Sequence, residues 1–205
     1  AISREIGDEF IAHGIEASRV YVLPQGVALD KFYPISREDK IKKRANIGID
    51  INKKIILFCS RLDYRKGIDI VLKTWREIEK KHSNAQLIIV GGGSQKYIEW
   101  IKKLIAEGSN IKYLGEVDRP TVYYQVADIF VLPSRKEGCP NVLMEAMACG
   151  CAPVVSRIGG CEDLVKDKDN GRLFSKDSCE EYKNVLSELL DSEAAISKYQ
   201  SKSYE

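Results

Sequence analysis

Residues 127–150 read ADIFVLPSRKEGCPNVLMEAMACG, and this stretch decides the fold class. The run 129–132 is short and apolar and stops before Pro133, as a buried strand does. The run 142–149 is rich in alanine, leucine and methionine, which predicts a helix with Asn141 as its N-cap. We therefore expect a strand, a loop and a helix in succession, the unit from which open parallel sheets are built.

Two glutamates, Glu137 and Glu145, stand on this loop and this helix, eight positions apart. The carboxyl end of a parallel strand is where such sheets bind ligands, and N–H groups at a helix start can bind phosphate. Because carboxylates repel phosphate, the two acids need other partners, and sugar or ribose hydroxyls are suitable donors. The pair favours an anion site whose two acids bind sugar or ribose hydroxyls, although two solvated glutamates beside a capped helix are the alternative.

Outward from this unit the same alternation of strand and helix continues. Apolar runs predict strands at 54–59, 86–90, 111–114, 151–156 and 171–174, and helical periodicity predicts helices at 68–80, 97–106, 121–126 and 180–190. The pattern favours a Rossmann-like α/β domain, a parallel sheet with right-handed crossovers and helices on both faces. Residues 1–50 are less regular and are expected to supply an opening strand and helix of the same single domain, 1–205. The basic run 40–44 is expected to form one face of a surface helix.

The loop after the first long strand holds two cations, Arg61 and Lys66, five positions apart. Two cations suit a diphosphate, which one positive charge would not fully neutralise. A surface loop with ordinary charges is the alternative, because Asp63 and Arg65 stand among them.

Glycines 91–93 follow the next strand and permit close approach of a ligand to the backbone. They do not complete the Gly-x-Gly-x-x-Gly motif of dinucleotide-binding proteins, because Lys96 occupies its last position. Residues 115–118 come after the third strand and precede Pro120, as in a plain turn or a ligand-binding loop.

Composition excludes several classes of protein. The chain has 205 residues, 44% of them hydrophobic, and a net charge of +2, which suits one good core and gives no basic surface for nucleic acid. No apolar run approaches the roughly 20 residues of a membrane span, and no signal peptide is recognisable. The six cysteines include no Cys-x-x-Cys pair, which disfavours zinc or redox chemistry and fits a cytoplasmic protein.

Two further features suggest metal or acid–base chemistry and have simpler explanations. Asp167 and Asp169 form an Asp-x-Asp pair, but Asn170-Gly171 follows at once and predicts a turn. The two histidines, His13 and His82, stand on or at the ends of predicted helices, where surface or capping roles are expected. We predict no metal site.

The ordered motifs of the chain resemble those of retaining, nucleotide-sugar-dependent glycosyltransferases of family 4 (group 1), which have the GT-B fold. The resemblance covers nearly the whole chain. The Glu-x7-Glu signature is Glu137-Gly138-x-Pro140-Asn141 followed by Glu145-Ala146-x-Ala148-x-Gly150. Residues 60–67 resemble the phosphate-binding Arg…Lys-Gly loop, and residues 24–34 resemble the Asn-Gly-Val-Asp…Phe turn. The closing segments are Gly159-Gly160-x-Glu162 and Asn170-Gly171.

The resemblance implies that the chain is the donor-binding half of a GT-B enzyme. An acceptor domain would precede it, and a C-terminal helix would cross back to that domain. A glycan or lipid-linked acceptor would bind through the missing domain, so the isolated chain is expected to be inactive. The full-length protein would be cytoplasmic or peripheral at the inner membrane face.

The resemblance also assigns roles to residues. Glu137 would bind the donor sugar, and Arg61 and Lys66 would stabilise the leaving diphosphate, without metal or any other cofactor. Glu145 would bind the ribose. Further donor contacts are expected from the loop and helix start and from the loops near the base: Gly138, Cys139, Pro140, Asn141, Val142, Gly92 and Val117.

Some positions depart from the family pattern, and other functions stay open. Gln25 and Ala28 stand where Asn and Asp are usual, and Cys139 stands where Phe often packs. A nucleotide-binding module without catalysis and a nucleotide-sugar epimerase on the same fold are the alternatives. A phosphorylase is disfavoured, because no pyridoxal-lysine motif is recognisable.

Overall fold

Six parallel strands form one central sheet in the computed structural model, which describes residues 1–23 and 25–204. The strand order is β3-β2-β1-β4-β5-β6, the doubly wound order of nucleotide-binding folds. This confirms the predicted Rossmann-like α/β class. The strands are β1 Lys54–Cys59, β2 Ala85–Val90, β3 Ile111–Tyr113, β4 Ile129–Leu132, β5 Ala152–Ser156 and β6 Arg172–Phe174.

Helices connect these strands and cover both faces of the sheet. They are α1 Arg4–Ala12, α2 Arg37–Asn46, α3 Ile68–Lys81, α4 Gln95–Ala106, α5 Thr121–Val126, α6 Asn141–Ala148, α7 Gly159–Glu162, α8 Cys179–Leu190 and α9 Glu193–Lys202. A 3₁₀ turn at Ala17–Arg19 follows α1. None of the helices within the described residues combines the length and apolarity that crossing a bilayer requires.

The alternation of side chains along each strand divides the core into two. Ile56 and Phe58 of β1 point to the face that packs with Trp75 of α3, whereas Ile55 and Leu57 belong to the opposite cluster. Because β1 is buried on both faces, its sequence is a continuous apolar run rather than an alternating one.

Two expectations about local structure are wrong, and one helix was not predicted. Residues 1–23 and 25–53 contain no opening strand, and α1 and α2 are their main elements. Helix α9 was not expected, because its sequence carries only a weak apolar stripe. Asn141 is not the N-cap of α6: Pro140 holds that position in extended backbone, and its side chain makes no capping hydrogen bond.

The basic run 40–44 is also more buried than expected. Arg44 is only 6% exposed, and its Nη2 donates to Oδ2 of Asp128 at 2.8 Å. Lys40 Nζ donates to the other carboxylate oxygen at 2.7 Å. Burial alone would raise the pKa of Asp128, but Lys40 and Arg44 outweigh it and hold this pKa below its ordinary value. The basic side of α2 therefore anchors it to the amino end of β4.

Candidate functional site

The loops after β1 and β4 meet where the strand order reverses, the usual position of a ligand site in such sheets. Gly67, at the end of the first loop, has φ +72°, and an added Cβ would lie 1.9 Å from the carbonyl oxygen of Pro133. The backbone N–H of Arg135 donates to the carbonyl of Arg65 at 2.8 Å. The two loops are therefore in direct backbone contact, and a side chain at position 67 would separate them.

Lys66 and Glu137, predicted separately from motifs 71 residues apart in the chain, are in contact. Lys66 Nζ lies 2.6 Å from Oε1 of Glu137, and both side chains are largely buried, at 13% and 7% exposure. Ser134, which is fully buried, donates its hydroxyl to the same carboxylate oxygen at 2.7 Å. One cation and one carboxylate thus share the centre of the site.

Asp63 organises the loop that carries both predicted cations. Its Oδ1 accepts the backbone N–H of Lys66 at 2.8 Å, and its Oδ2 accepts from Nε of Arg61 at 2.9 Å. Arg61 differs from Lys66 in accessibility, because 65% of its side chain is exposed. The loop therefore presents one cation at the surface and one inside the site.

Glu145 is half-buried on α6, near Cys59 at the carboxyl end of β1 and near the ring of Tyr124. Burial raises the pKa of the Glu145 carboxyl above its ordinary value. The buried Tyr124 hydroxyl beside it makes no hydrogen bond of normal geometry to a described residue. The structure thus places a half-buried carboxylate, a good acceptor for hydroxyl groups, at the end of β1, with the fully buried Tyr124 phenol beside it.

The segment between Glu137 and Glu145 forms a loop and the first turn of α6. Pro140 is the N-cap, and the first N–H groups of the helix, including those of Asn141 and Val142, have no acceptor within it. Cys139 is partly buried, with Sγ 4.0 Å from Sδ of Met144. A Cβ added to Gly138 would lie 2.9 Å from Cδ1 of Ile6. Helix α1 therefore packs directly on this loop.

Gly92 and Val117 lie on two neighbouring loops at the β2–β3 side of the site. The N–H of Gly91 donates to the carbonyl of Gly115 at 2.7 Å, which joins the loops. A Cβ added to Gly92 would lie 2.3 Å from Oε1 of Glu116, and Val117 is partly buried against the core. Glu116 therefore stands over Gly92, a contact that the sequence did not indicate.

The Asp-x-Asp pair is part of a turn. Asp167 accepts the backbone N–H of Leu173 at 2.9 Å, Asp169 pairs with Lys202, and Lys168 between them has φ +61°. Residues 1–23 and 25–204 contain no group of three or more His, Cys, Asp or Glu side chains arranged to hold a metal.

The remaining predicted features can be placed as follows. His13 and His82 hold the C-cap positions of α1 and α3, as expected. The predicted 24–34 turn includes Pro24, which lies outside the described residues.

Sequence reasoning missed several residues of the site, among them Ser134, Arg135 and Asp69. Ser134 and Arg135 stand three and two residues before Glu137, so their closeness in sequence could have indicated that they belong to the site. Asp69 carried no such signal, because only the fold brings the first turn of α3 against the loop after β4.

The family profile and the sequence relatives that this chain matches are both glycosyltransferases. A sequence profile of the family described as "Glycosyl transferases group 1" matches residues 39–205. An uncharacterized glycosyltransferase of Methanocaldococcus jannaschii is 37% identical over 140 residues, covering 67% of this chain and 36% of that protein.

A relative with a specific name is similar over a longer stretch. The GDP-mannose-dependent monoacylated alpha-(1-6)-phosphatidylinositol monomannoside mannosyltransferase of Corynebacterium glutamicum is 32% identical over 179 residues. The alignment covers 82% of this chain and 46% of that enzyme. The chain therefore spans less than half the length of these two relatives.

Among solved structures, the Anabaena protein HepE in complex with UDP superposes with a TM-score of 0.87 at 24% identity. The superposition covers 100% of this chain and 57% of that one. This similarity agrees with the fold described above, a doubly wound domain.

Proposed function

The chain belongs to the group 1 glycosyl transferases, and we propose that it binds the nucleoside diphosphate sugar donor of a retaining family 4 enzyme. The observation that carries the proposal is the contact between Lys66 and Glu137 at the carboxyl ends of β1 and β4. It brings a cation suited to phosphate and a carboxylate suited to sugar hydroxyls into one partly buried site.

The diphosphate would bind between the Arg61–Lys66 loop and the start of α6. Lys66 is largely buried, so its charge is screened less by water than that of a surface lysine. Arg61 can approach from the solvent side, and the first N–H groups of α6 can donate to phosphate oxygens. These groups would stabilise the negative charge that develops on the leaving diphosphate.

Glu137 would bind hydroxyls of the donor sugar and stabilise positive charge that develops on its ring. Ser134 holds one carboxylate oxygen of Glu137 at 2.7 Å, which leaves Oε2 for the sugar. The transfer would proceed with retention of configuration and without an enzyme nucleophile. Proton NMR of the product would show the anomeric configuration of the donor in a retaining enzyme and the opposite one in an inverting enzyme.

Glu145 would accept hydrogen bonds from the ribose, and Gly92 and Val117 would lie near the base. The names of similar proteins include both GDP-mannose and UDP, so they support a nucleoside diphosphate sugar and do not favour one base. We propose no metal and no other cofactor in donor binding, because Arg61 and Lys66 supply the cationic charge.

We further propose that a second domain binds a glycan or lipid-linked acceptor, because this chain matches only 36% and 46% of the two relatives described above. In this proposal the chain alone does not transfer sugar. The complete enzyme would act in the cytoplasm or at the inner face of the membrane.

A thermal-shift panel of UDP-, GDP- and ADP-sugars tests donor binding. At least one should raise the Tm of the 205-residue chain, and the increase should grow with ligand concentration as expected for binding to the native state. The matching nucleoside should raise it much less. Equal Tm values with and without all three sugar nucleotides would contradict the proposal.

A further inference from the structure

The guanidinium of Arg135 links the loop after β4 to α3, the helix that follows the loop after β1. Its Nη1 and Nη2 donate to Oδ1 and Oδ2 of Asp69 at 2.7 and 3.0 Å, a parallel two-bond contact. Both side chains are largely buried, with 14% and 6% exposure. Asp69 stands in the first turn of α3, three residues after Lys66, and Arg135 stands two residues before Glu137.

Arg135 makes three more contacts, two of them to the segment that precedes Lys66. Its Nη1 also donates to the carbonyl of Tyr64, and its guanidinium carbon lies 3.5 Å from the centre of the Tyr64 ring. Its Nε donates to Oδ1 of Asp177 at 2.5 Å. Together with the backbone bond to Arg65, Arg135 therefore holds the chain on both sides of Lys66.

The carboxylates around Arg135 disfavour a direct contact between its guanidinium and phosphate. The carboxylates of Asp69 and Asp177 face it, and Lys73 also approaches Asp69, with Nζ 3.3 Å from Oδ2. Burial alone would raise the pKa of Asp69, but the hydrogen bonds and charge of Arg135 outweigh burial, and the pKa lies below its ordinary value. Each of the three guanidinium nitrogens of Arg135 thus donates to a group within the protein.

We propose that Arg135 is a positioning residue that fixes Lys66 relative to Glu137 through its bonds to Asp69, Tyr64 and Asp177. The inference rests on the proposed function, because it assigns donor binding to the two loops. The contact between Arg135 and Asp69 joins α3 to the loop after β4 by two parallel hydrogen bonds. We call the bonds of Arg135 to Asp69, Tyr64 and Asp177 the Arg135 brace. Since diphosphate binding needs the cation of Lys66 at a defined place, loosening this brace should weaken diphosphate binding more than nucleoside binding.

Two variants remove the brace in different ways. Arg135→Lys keeps the positive charge but loses the planar fork and the stacking on Tyr64. Asp69→Asn keeps the shape of the side chain and loses its charge. Glu77→Gln is the matched control, because Glu77 lies on the same helix, with 65% of its side chain exposed, and pairs with Lys183 on α8 rather than with a residue of the site.

Calorimetry with a nucleoside diphosphate and its nucleoside, and hydrogen exchange of the loop amides, test the proposal on the 205-residue chain. Each brace variant should lose about tenfold or more in diphosphate affinity, with nucleoside affinity changed less than about twofold. Amides of residues 61–67 and 134–138 should exchange faster, while those of β1 keep their protection. Glu77→Gln should match the wild-type chain in every measurement.

Two results would overturn the positioning role of Arg135, and a third would separate its failure from that of the proposed function. Wild-type diphosphate affinity in the brace variants, or an equal loss for nucleoside and diphosphate, would overturn the positioning role. If Asp69→Asn does not fold, Arg135→Lys alone decides. If the wild-type chain binds no nucleoside diphosphate, the proposed function fails first, and unchanged loop exchange in both variants would then also reject the brace.

Discussion

Lys66 Nζ lies 2.6 Å from Oε1 of Glu137, so the cation proposed for the diphosphate contacts the carboxylate proposed for the sugar. A bound diphosphate would compete with Glu137 for the same ammonium group. The pair thus couples the phosphate and sugar parts of the proposed site, and substitutions at its two ends should have opposite effects on diphosphate affinity.

Replacing Lys66 by Ala should lower the affinity for a nucleoside diphosphate about 10- to 100-fold, because a charge-assisted hydrogen bond contributes roughly 1.5–3 kcal/mol. Affinity for the free nucleoside should stay within about twofold, since it carries no phosphate. Calorimetry measures both values. Lys103→Ala removes an exposed lysine of α4 and should change neither. Equal losses for both ligands would show that Lys66 does not bind phosphate.

Replacing Glu137 by Gln should raise diphosphate affinity by about 2- to 10-fold, because a negative charge beside the phosphate-binding cation is lost. Transfer by the full-length enzyme should fall at least about 100-fold, since stabilisation of the charge developing on the sugar is lost. Normal turnover in this variant would remove Glu137 from the mechanism.

Replacing Glu145 by Gln should stabilise the chain at neutral pH and weaken nucleoside binding. Burial raises the pKa of Glu145 in the native state, so the charged form costs stability above that raised pKa. The Tm gain of the variant should therefore be complete at high pH and shrink as the pH falls through the raised pKa. It should be absent below about 4.3, the ordinary value for glutamate.

Thermal denaturation between pH 4 and pH 8 measures this gain. Glu99→Gln provides the control, because Glu99 is an exposed residue of α4. A Tm difference for Glu145→Gln that does not depend on pH would contradict the assignment of a raised pKa to this carboxyl group.

Chelation of metal should leave donor binding unchanged. Arg61 and Lys66 supply the positive charge, and the Asp-x-Asp pair is engaged in a turn with Leu173 and Lys202. Calorimetric titrations with and without EDTA should give the same affinity within error. A loss of affinity that added Mg²⁺ restores would contradict this part of the account.

The sequence predicts the sheet well because buried parallel strands are continuous apolar runs. The stretch 54–59 is one of these runs, and it forms β1 with the predicted bounds. Local capping was predicted less well: Asn141 has the right side chain for an N-cap, but the rigid ring of Pro140 takes that position.

Contacts between distant segments could not be predicted from spacing. The chain gave no signal that Arg44 would be buried on Asp128, 84 residues away, and its basic neighbours suggested a solvated helix face. The pair of Lys66 and Glu137 was predicted as two members of one site, but their direct contact depends on how two loops approach at the sheet edge. The brace of Arg135 and Asp69 depends on the same approach.

The central claim is the location of the donor site, and NMR amide mapping of the 205-residue chain with UDP and GDP tests it most directly. Binding should shift amides of residues 60–67, 91–93, 115–117 and 134–145, at the carboxyl ends of the strands. Lys66→Ala should abolish or weaken these shifts. Shifts confined instead to the cavity at the opposite edge, lined by Lys40, Lys54 and Gln200 among others, would contradict the account.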